Sequence, residues 1–367
     1  MKKYNTNNER IKRKYLVFLK QAKGQNEASV DAVAKAVSRF ELYNGFKDFK
    51  AFHFEQAIGF KKHLTTQTHH KTGKPLSLAT MNSTVRHLKA FFEWLSQEVG
   101  YKSRIKYSDA EYFNLSEKEA RTAKATRQKP VATIEQIKHV LDMMPNKSAI
   151  ERRDRALIAF TLLTGARDSA IASLKLKHID IKSGTVYQDA REVNTKFSKS
   201  FTTAFFPVGD EVRDIVIQWV EYLQQELLMG SDAPLFPKTK MGQGGDNSFQ
   251  VTGLSSDHWR NASAIRRIFK QAFVSAELPP YNPHSFRHTL AALGERLCHS
   301  AEEFKAWSQN LGHEGVLTTL YSYGEVQSVR QVELVQGLGK PRAKAVQGVD
   351  AAELAKALVR EMENQES

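Results

Sequence analysis

Two arginines, a lysine, two histidines and a pair of tyrosines stand out along this sequence for the segments that carry them. Arg167 follows Thr-Gly-Ala, Lys196 lies in NTKFSKSF, His284 and Arg287 share NPHSFRHT, His313 closes Leu-Gly-His, and Tyr321 and Tyr323 come shortly after. No cluster of Asp and Glu accompanies them, so a phosphoryl-transfer site built around a carboxylate-held metal is not favoured. The set can instead handle a phosphodiester without metal. Guanidinium groups grip non-bridging oxygens bidentately and offset the charge that grows in the transition state. A tyrosine hydroxyl can attack phosphorus, and a lysine or histidine can protonate the departing oxygen. Each residue alone also has an ordinary explanation: Arg167 can satisfy carbonyls at a helix end, His284 can cap the helix that follows, and Leu-Gly-His can be only a turn.

The elements that must hold these residues are mostly helical. Residues 8–23 read as a basic helix ending at Gly24, and 27–64 carry apolar residues at helical spacing (Val30, Val33, Val37, Phe40, then Phe54 and Ile58) with a break at Gly45-Phe46. A helix starting at Ser77 places Met81, Val85, Leu88, Phe92, Leu95 and Val99 on one stripe and stops at Gly100. Arg86 and Lys89 lie off that stripe, on the face left to solvent or phosphate. Residues 114–129 are polar and charged and read as a linker, after which Pro130 opens a second domain. Thr133 caps a helix there, and ALIAFTLLTGAR continues as a buried helix into a turn at Gly165. Ile181, Val186 and the run from Phe201 to Val208 read as a small antiparallel sheet turning around 197–200. Helices resume at 211–229, 263–276, 288–297 and 302–311, with Trp307 in the core, and a tail beyond Gly337 ends in a short helix bearing Leu354, Leu358 and Met362.

At 367 residues and a mean hydropathy of −0.48, the chain has room for about two domains. No run of about 20 apolar residues spans a membrane, and the basic start lacks the apolar core of a secretory signal. One cysteine, Cys298, can form neither an internal disulfide nor a cysteine-based zinc site. The expected location is the cytoplasm, with no membrane partner. Charge is more informative, because the net +14 is unevenly spread: residues 1–128 hold 25 Lys and Arg against 12 Asp and Glu, a surplus of 13. Solubility alone does not call for such asymmetry, whereas a polyanion does. His63, His69 and His70 suggest a metal site only weakly, since with Lys71 and Gly73 they fit a solvated loop.

In their order and spacing, these segments resemble the tyrosine recombinases, also called the phage integrase family. TGARDSAIASLKLKHID is similar to the family's first arginine box, NTKFSKSFTTAFFPV to its lysine-bearing β-hairpin, NPHSFRHT to its His-x-x-Arg box, and LGHEGVLTTLYSYG to its closing histidine and tyrosine segment. LSLATMNSTVRHLKAFFEWL is more weakly similar to the family's helical core-binding domain. The resemblance implies a mainly α fold with a small antiparallel β-sheet, arranged as a two-domain DNA clamp. Its parts would be a basic extension (1–25), a core-binding domain (26–113), a linker (114–129), a catalytic domain (130–338) and a tail helix (339–367).

The function it implies is site-specific DNA recombination through a covalent 3′-phosphotyrosine, with no cofactor and no metal. Arg167 and Arg287 become phosphate clamps, His284 and His313 hydrogen-bonding and proton-transfer partners, and Lys196 the acid for the 5′ oxygen, with Lys199 the competing lysine. The implied partners are double-stranded DNA, a homotetramer on paired sites and accessory DNA-bending proteins, with association to the nucleoid. The tail helix would dock on a neighbouring protomer or pack on its own domain. The alternative is a DNA-binding or architectural protein of the same fold with altered chemistry.

Two departures from the family pattern bear on the site. An apolar residue and then, at the third position, an acid usually follow the first arginine, whereas Asp168 and Ala170 stand there. The family's tyrosine falls at the position of Ser322, between two tyrosines. Tyr323 is the expected nucleophile because Gly324 beside it permits close approach, and Tyr321 after Leu320 has the setting of a packing residue.

Overall fold

The computed structural model describes residues 4–68, 73–124, 130–243 and 249–313. The chain divides into two compact units, residues 1–127 and 128–367.

The first unit holds α1 (Thr6–Val17), prolonged by a π turn over Phe18–Ala22, then α2 (Glu27–Tyr43), α3 (Phe54–Thr66), α4 (Leu78–Leu95) and α5 (Glu117–Lys124). Helix starts carry side-chain caps: Asn5 accepts from the amides of Asn7 and Asn8, Asn26 from that of Ser29, and Ser77 from that of Thr80. Its core is aromatic, with Phe40, Phe49, Phe60, Phe91, Phe92 and Phe113 fully buried and Phe52 stacked on Phe92 at 3.8 Å. Ile11, Tyr15 and Leu19 of the basic N-terminal segment enter that core. Buried Asn8 is fully engaged: it donates to Glu41 Oε1 and Lys47 O and accepts from the Phe49 amide.

Two sequence expectations are corrected here. The α4 stripe stops at Leu95: the helix gives way to turns from Ser96 to Gly100, whose φ of 83° leaves the right-handed region, and Val99 is 87% exposed. On α3 the buried residues are Ala57, Phe60 and Leu64, while Phe54, the first helical residue, lies at the surface against Tyr112. Residues 117–124, within the stretch read as a linker, form a helix.

The second unit begins with α6 (Ile134–Met143) and α7 (Ala149–Thr164), each opened by a capping box, Thr133 with Gln136 and Ser148 with Glu151. The short α8 (Asp168–Ile171) follows. A three-stranded antiparallel sheet then runs in the order β1 (Ile179–Asp180), β2 (Thr185–Gln188), β3 (Phe201–Ala204), with Val186 opposite Thr203. Ile181 and residues 205–208, read as strand, lie outside it. Next come α9 (Asp210–Glu221), continued by a π turn over Tyr222–Glu226, and an antiparallel pair the sequence reading missed, β4 (Thr239–Gln243) and β5 (Phe249–Leu254). The last described helices are α10 (Ser263–Ser275), α11 (Pro283–Leu297) and α12 (Ala301–Asn310). The fold class is therefore the expected one, mainly helical with small antiparallel sheets, although α11 begins five residues before the helix read from the sequence. No described helix is long and apolar enough to cross a membrane.

Candidate active site

Arg167 is placed by the end of α7. Gly165 caps that helix in the left-handed region (φ 60°), and a Cβ there would stand 2.9 Å from Leu311 and 3.0 Å from Leu290. The turn delivers Arg167 half-buried at the start of α8. Arg287 rises from the first turns of α11, which Asn282 caps and Pro283 opens. The residue is only 5% exposed, and its guanidinium donates to Gly165 O at 2.5 Å, Leu311 O at 2.5 Å and His313 Nε2 at 2.8 Å. One buried side chain thus ties the Thr-Gly-Ala turn to the Leu-Gly-His turn. Burial, then the charge of Arg167, pushes its proton affinity down to about 9, which leaves it charged at neutral pH.

His313 follows Gly312, whose φ of +67° lets the chain turn back over Phe201; a Cβ there would meet that ring at 2.6 Å. Since arginine has no acceptor, Nε2 of His313 receives the Arg287 hydrogen bond, and the imidazole proton resides on Nδ1. Burial, then Arg287, Arg167, His284 and Lys196, pushes its pKa down to about 3, so the ring is neutral. His284, one turn before Arg287, is exposed, and its ring meets that of His288 edge to face at 5.2 Å. Desolvation, followed by His288, Arg287 and Arg167, lowers its proton affinity, and Asp168 opposes them.

Lys196 and Lys199 lie exposed on the connection from β2 to β3. A cleft of about 310 Å³ gathers Arg167, Lys196, Phe197, Lys199, Phe201 and His313 along its wall, with Ser200, Gln309 and Gly312. Arg287 joins that group through His313, and His284 is not among its lining residues. Tyr321 and Tyr323 lie outside the described residues, as do His69, His70 and the tail from 339. His63 packs its ring against Tyr43 at 5.0 Å. In the first unit, Arg86 is exposed on α4, while Lys89 pairs with Glu111 at 2.7 Å and Glu93 at 3.8 Å and donates to Asn114.

Two contributors, Asn310 and Arg266, went unread in the sequence. Asn310 ends α12 by accepting from the Ala204 amide (2.6 Å) and donating to Ala204 O (2.9 Å), which pins the His313 turn to β3. Asp168 pairs with Arg266 at 2.7 Å, while the family's acid position holds buried Ala170. A carboxylate next to the first arginine was visible in the sequence; its partner, 98 residues on, was not.

The arrangement is a basic cleft with one neutral imidazole, that of His313, in its wall, suited to holding a phosphodiester anion and moving protons around it. A profile of the phage integrase family matches residues 131–329, more than half of the chain, and the chain belongs to that family. It is similar to tyrosine recombinase XerC of Halalkalibacterium halodurans, with 24% identity over 87% of this chain and 94% of that one. Among solved structures, a lambda integrase dimer bound to a COC′ core site aligns with a TM-score of 0.57 at 13% identity, covering 87% of this chain and 96% of that one. A XerH site-specific recombinase bound to a palindromic difH substrate after cleavage also aligns at 0.57, with 16% identity over 88% of this chain and 83% of that one.

Proposed function

We propose that this chain is a tyrosine-type site-specific recombinase that cuts and rejoins double-stranded DNA, integrating or excising a segment, through a covalent 3′-phosphotyrosine. The observation that carries the reading is the Arg287 guanidinium, which brings the Arg167 and His313 turns together at a cleft that also holds Lys196. In the proposed step, the tyrosine oxygen forms a bond to phosphorus as the bond from phosphorus to the 5′ oxygen breaks. The phenol proton passes to the imidazole of His284, which its surroundings keep neutral and so with a lone pair to accept it, and Lys196 gives a proton to the 5′ oxygen. Arg167 and Arg287 offset the charge on the non-bridging oxygens, and His313 adds a hydrogen bond. The new phosphodiester keeps the energy of the old one, so the reverse attack by a 5′ hydroxyl on another strand rejoins DNA without ATP.

Arg86 and Lys89 are the proposed phosphate contacts of the first unit. Exchange between two duplexes calls for a homotetramer on paired sites, with DNA-bending proteins as accessories and the nucleoid as the place of action. The test is a nicked suicide substrate that traps the covalent intermediate. Tyr323→Phe abolishes the protein–DNA adduct and Tyr321→Phe retains it; the opposite pattern moves the nucleophile to Tyr321. Adducts surviving both changes exclude the mechanism from this segment, and DNA binding without any adduct from the unaltered chain favours an architectural protein.

A further inference from the structure

Phe197 is 71% exposed, an unusual place for a phenyl ring, and its backbone is in the left-handed region (φ 59°, ψ 23°), as is that of Ser198 (φ 50°). Bulky L residues enter that region only at a cost, and a glycine would enter it freely. In an extended chain neighbouring side chains point to opposite faces. Here the left-handed turn brings them to the same side, and the Lys196 ammonium stands over the Phe197 ring, 4.7 Å from its centroid. An exposed cation–π contact returns less than the backbone conformation costs, so stability of the free chain does not account for the arrangement. Both side chains line the cleft with Arg167 and His313, and among the described residues no carboxylate pairs with Lys196.

We propose that Phe197 is a positioning residue for Lys196: its ring face holds the ammonium at the cleft, where the departing 5′ oxygen needs a proton. This rests on Lys196 being the proton donor of the reaction proposed above. The aromatic face suits the task because it fixes the cation without taking a proton from it, as a carboxylate would compete to do.

The test compares adduct formation on two suicide substrates, one with the natural 5′ oxygen and one with a bridging 5′ phosphorothiolate, whose sulfur leaves without a proton. On the oxygen substrate Phe197→Leu slows cleavage by about tenfold, a fraction of what a full proton donor contributes. On the phosphorothiolate, Phe197→Leu cleaves like the unaltered chain, and its DNA affinity and thermal stability are unchanged. Phe197→Tyr, which keeps an aromatic face, cleaves both substrates normally. The inference is overturned if Phe197→Leu cleaves the oxygen substrate at full rate or loses equally on both substrates. It is also overturned if the loss tracks weakened DNA binding, which would make the ring a DNA contact. Lys196→Ala in parallel separates the two ideas. If the phosphorothiolate rescues Lys196→Ala but not Phe197→Leu, only the positioning role fails; if it does not rescue Lys196→Ala, the proton-donor reading fails and takes this one with it.

Discussion

Arg287 shows how one side chain can serve the fold and the chemistry at once. Replacing it leaves the carbonyls of Gly165 and Leu311 without their donor, at about 1–3 kcal/mol for each buried group left unpaired. Arg167, half-buried and without a hydrogen bond to its side chain among the described residues, is the cleaner probe of transition-state charge. The Arg287 hydrogen bond also sets a pH dependence through His313. The folded imidazole is held neutral, its pKa pushed down to about 3, first by burial and then by Arg287, while in the unfolded chain it titrates near 6.5. Between those values the unfolded state binds the extra proton, so this contribution to stability is complete above about pH 6.5 and is lost as pH falls toward 3. His313→Asn, which keeps an oxygen acceptor for Arg287 but does not titrate, flattens the fall in stability between pH 6 and 4 by up to about one proton. Denaturant unfolding of both chains at several pH values checks this; identical slopes would mean that His313 is charged in the fold. The residue types of this cluster were legible in the sequence, because arginine, histidine and lysine announce what they can bind. Their partners were not, since Gly165 O and Leu311 O belong to backbone that any sequence possesses.

At the scale of elements, α11 and α12 meet where Gly294 receives Trp307. The indole is held on two sides, by Nε1 donating to Leu290 O at 3.0 Å and by the Phe206 ring at 4.7 Å. Alanine is intrinsically better than glycine inside a helix by about 1 kcal/mol. Here, however, a Cβ at position 294 would stand 2.5–2.7 Å from three indole atoms that cannot move aside, and such overpacking costs about 1–3 kcal/mol. The clash wins. Gly294→Ala is expected to destabilise the second unit by about 1–2 kcal/mol and, because α12 leads into Gly312 and His313, to slow adduct formation as well. Greater stability with unchanged cleavage would show that Trp307 can swing away. Long helices with caps were legible because amphipathic spacing and Ser or Thr starts reinforce each other over many residues, as in α4 and α6. The stripe read as running on to Val99 instead meets turns that begin at Ser96 and close at Gly100. The pair β4 and β5 escaped notice because β4, with Thr239 and Gln243 at its ends, buries no side chain fully and so carries no alternation to read.

Across the whole molecule, the surplus of 13 positive charges before residue 129 is the broadest feature of the sequence, and the structure separates charges already committed from those still available. Lys12 pairs with Glu9 and Glu41, Lys14 with Glu98, Lys20 with Glu27, and Lys89 with Glu111. Deleting residues 1–24 is therefore a poor way to probe the basic segment, since it also removes Ile11, Tyr15 and Leu19 from the core. Single substitutions on α4 probe it better. Each phosphate neutralised by a cation contributes about −0.9 to the slope of log affinity against log salt. Arg86 is exposed, so Arg86→Gln should make the slope shallower by about 0.9 if Arg86 meets a phosphate. Lys89 starts from a different position, its charge offset by Glu111 at 2.7 Å and Glu93 at 3.8 Å with its side chain only 25% exposed. A cation that exchanges carboxylates for a phosphate loses one set of contacts as it gains the other, so Lys89→Gln should change the slope by clearly less. Binding to a duplex target across about 50–200 mM salt measures both. Equal changes would mean that Lys89 abandons its carboxylates when DNA arrives, and no change for Arg86→Gln would remove this face of α4 from the DNA interface.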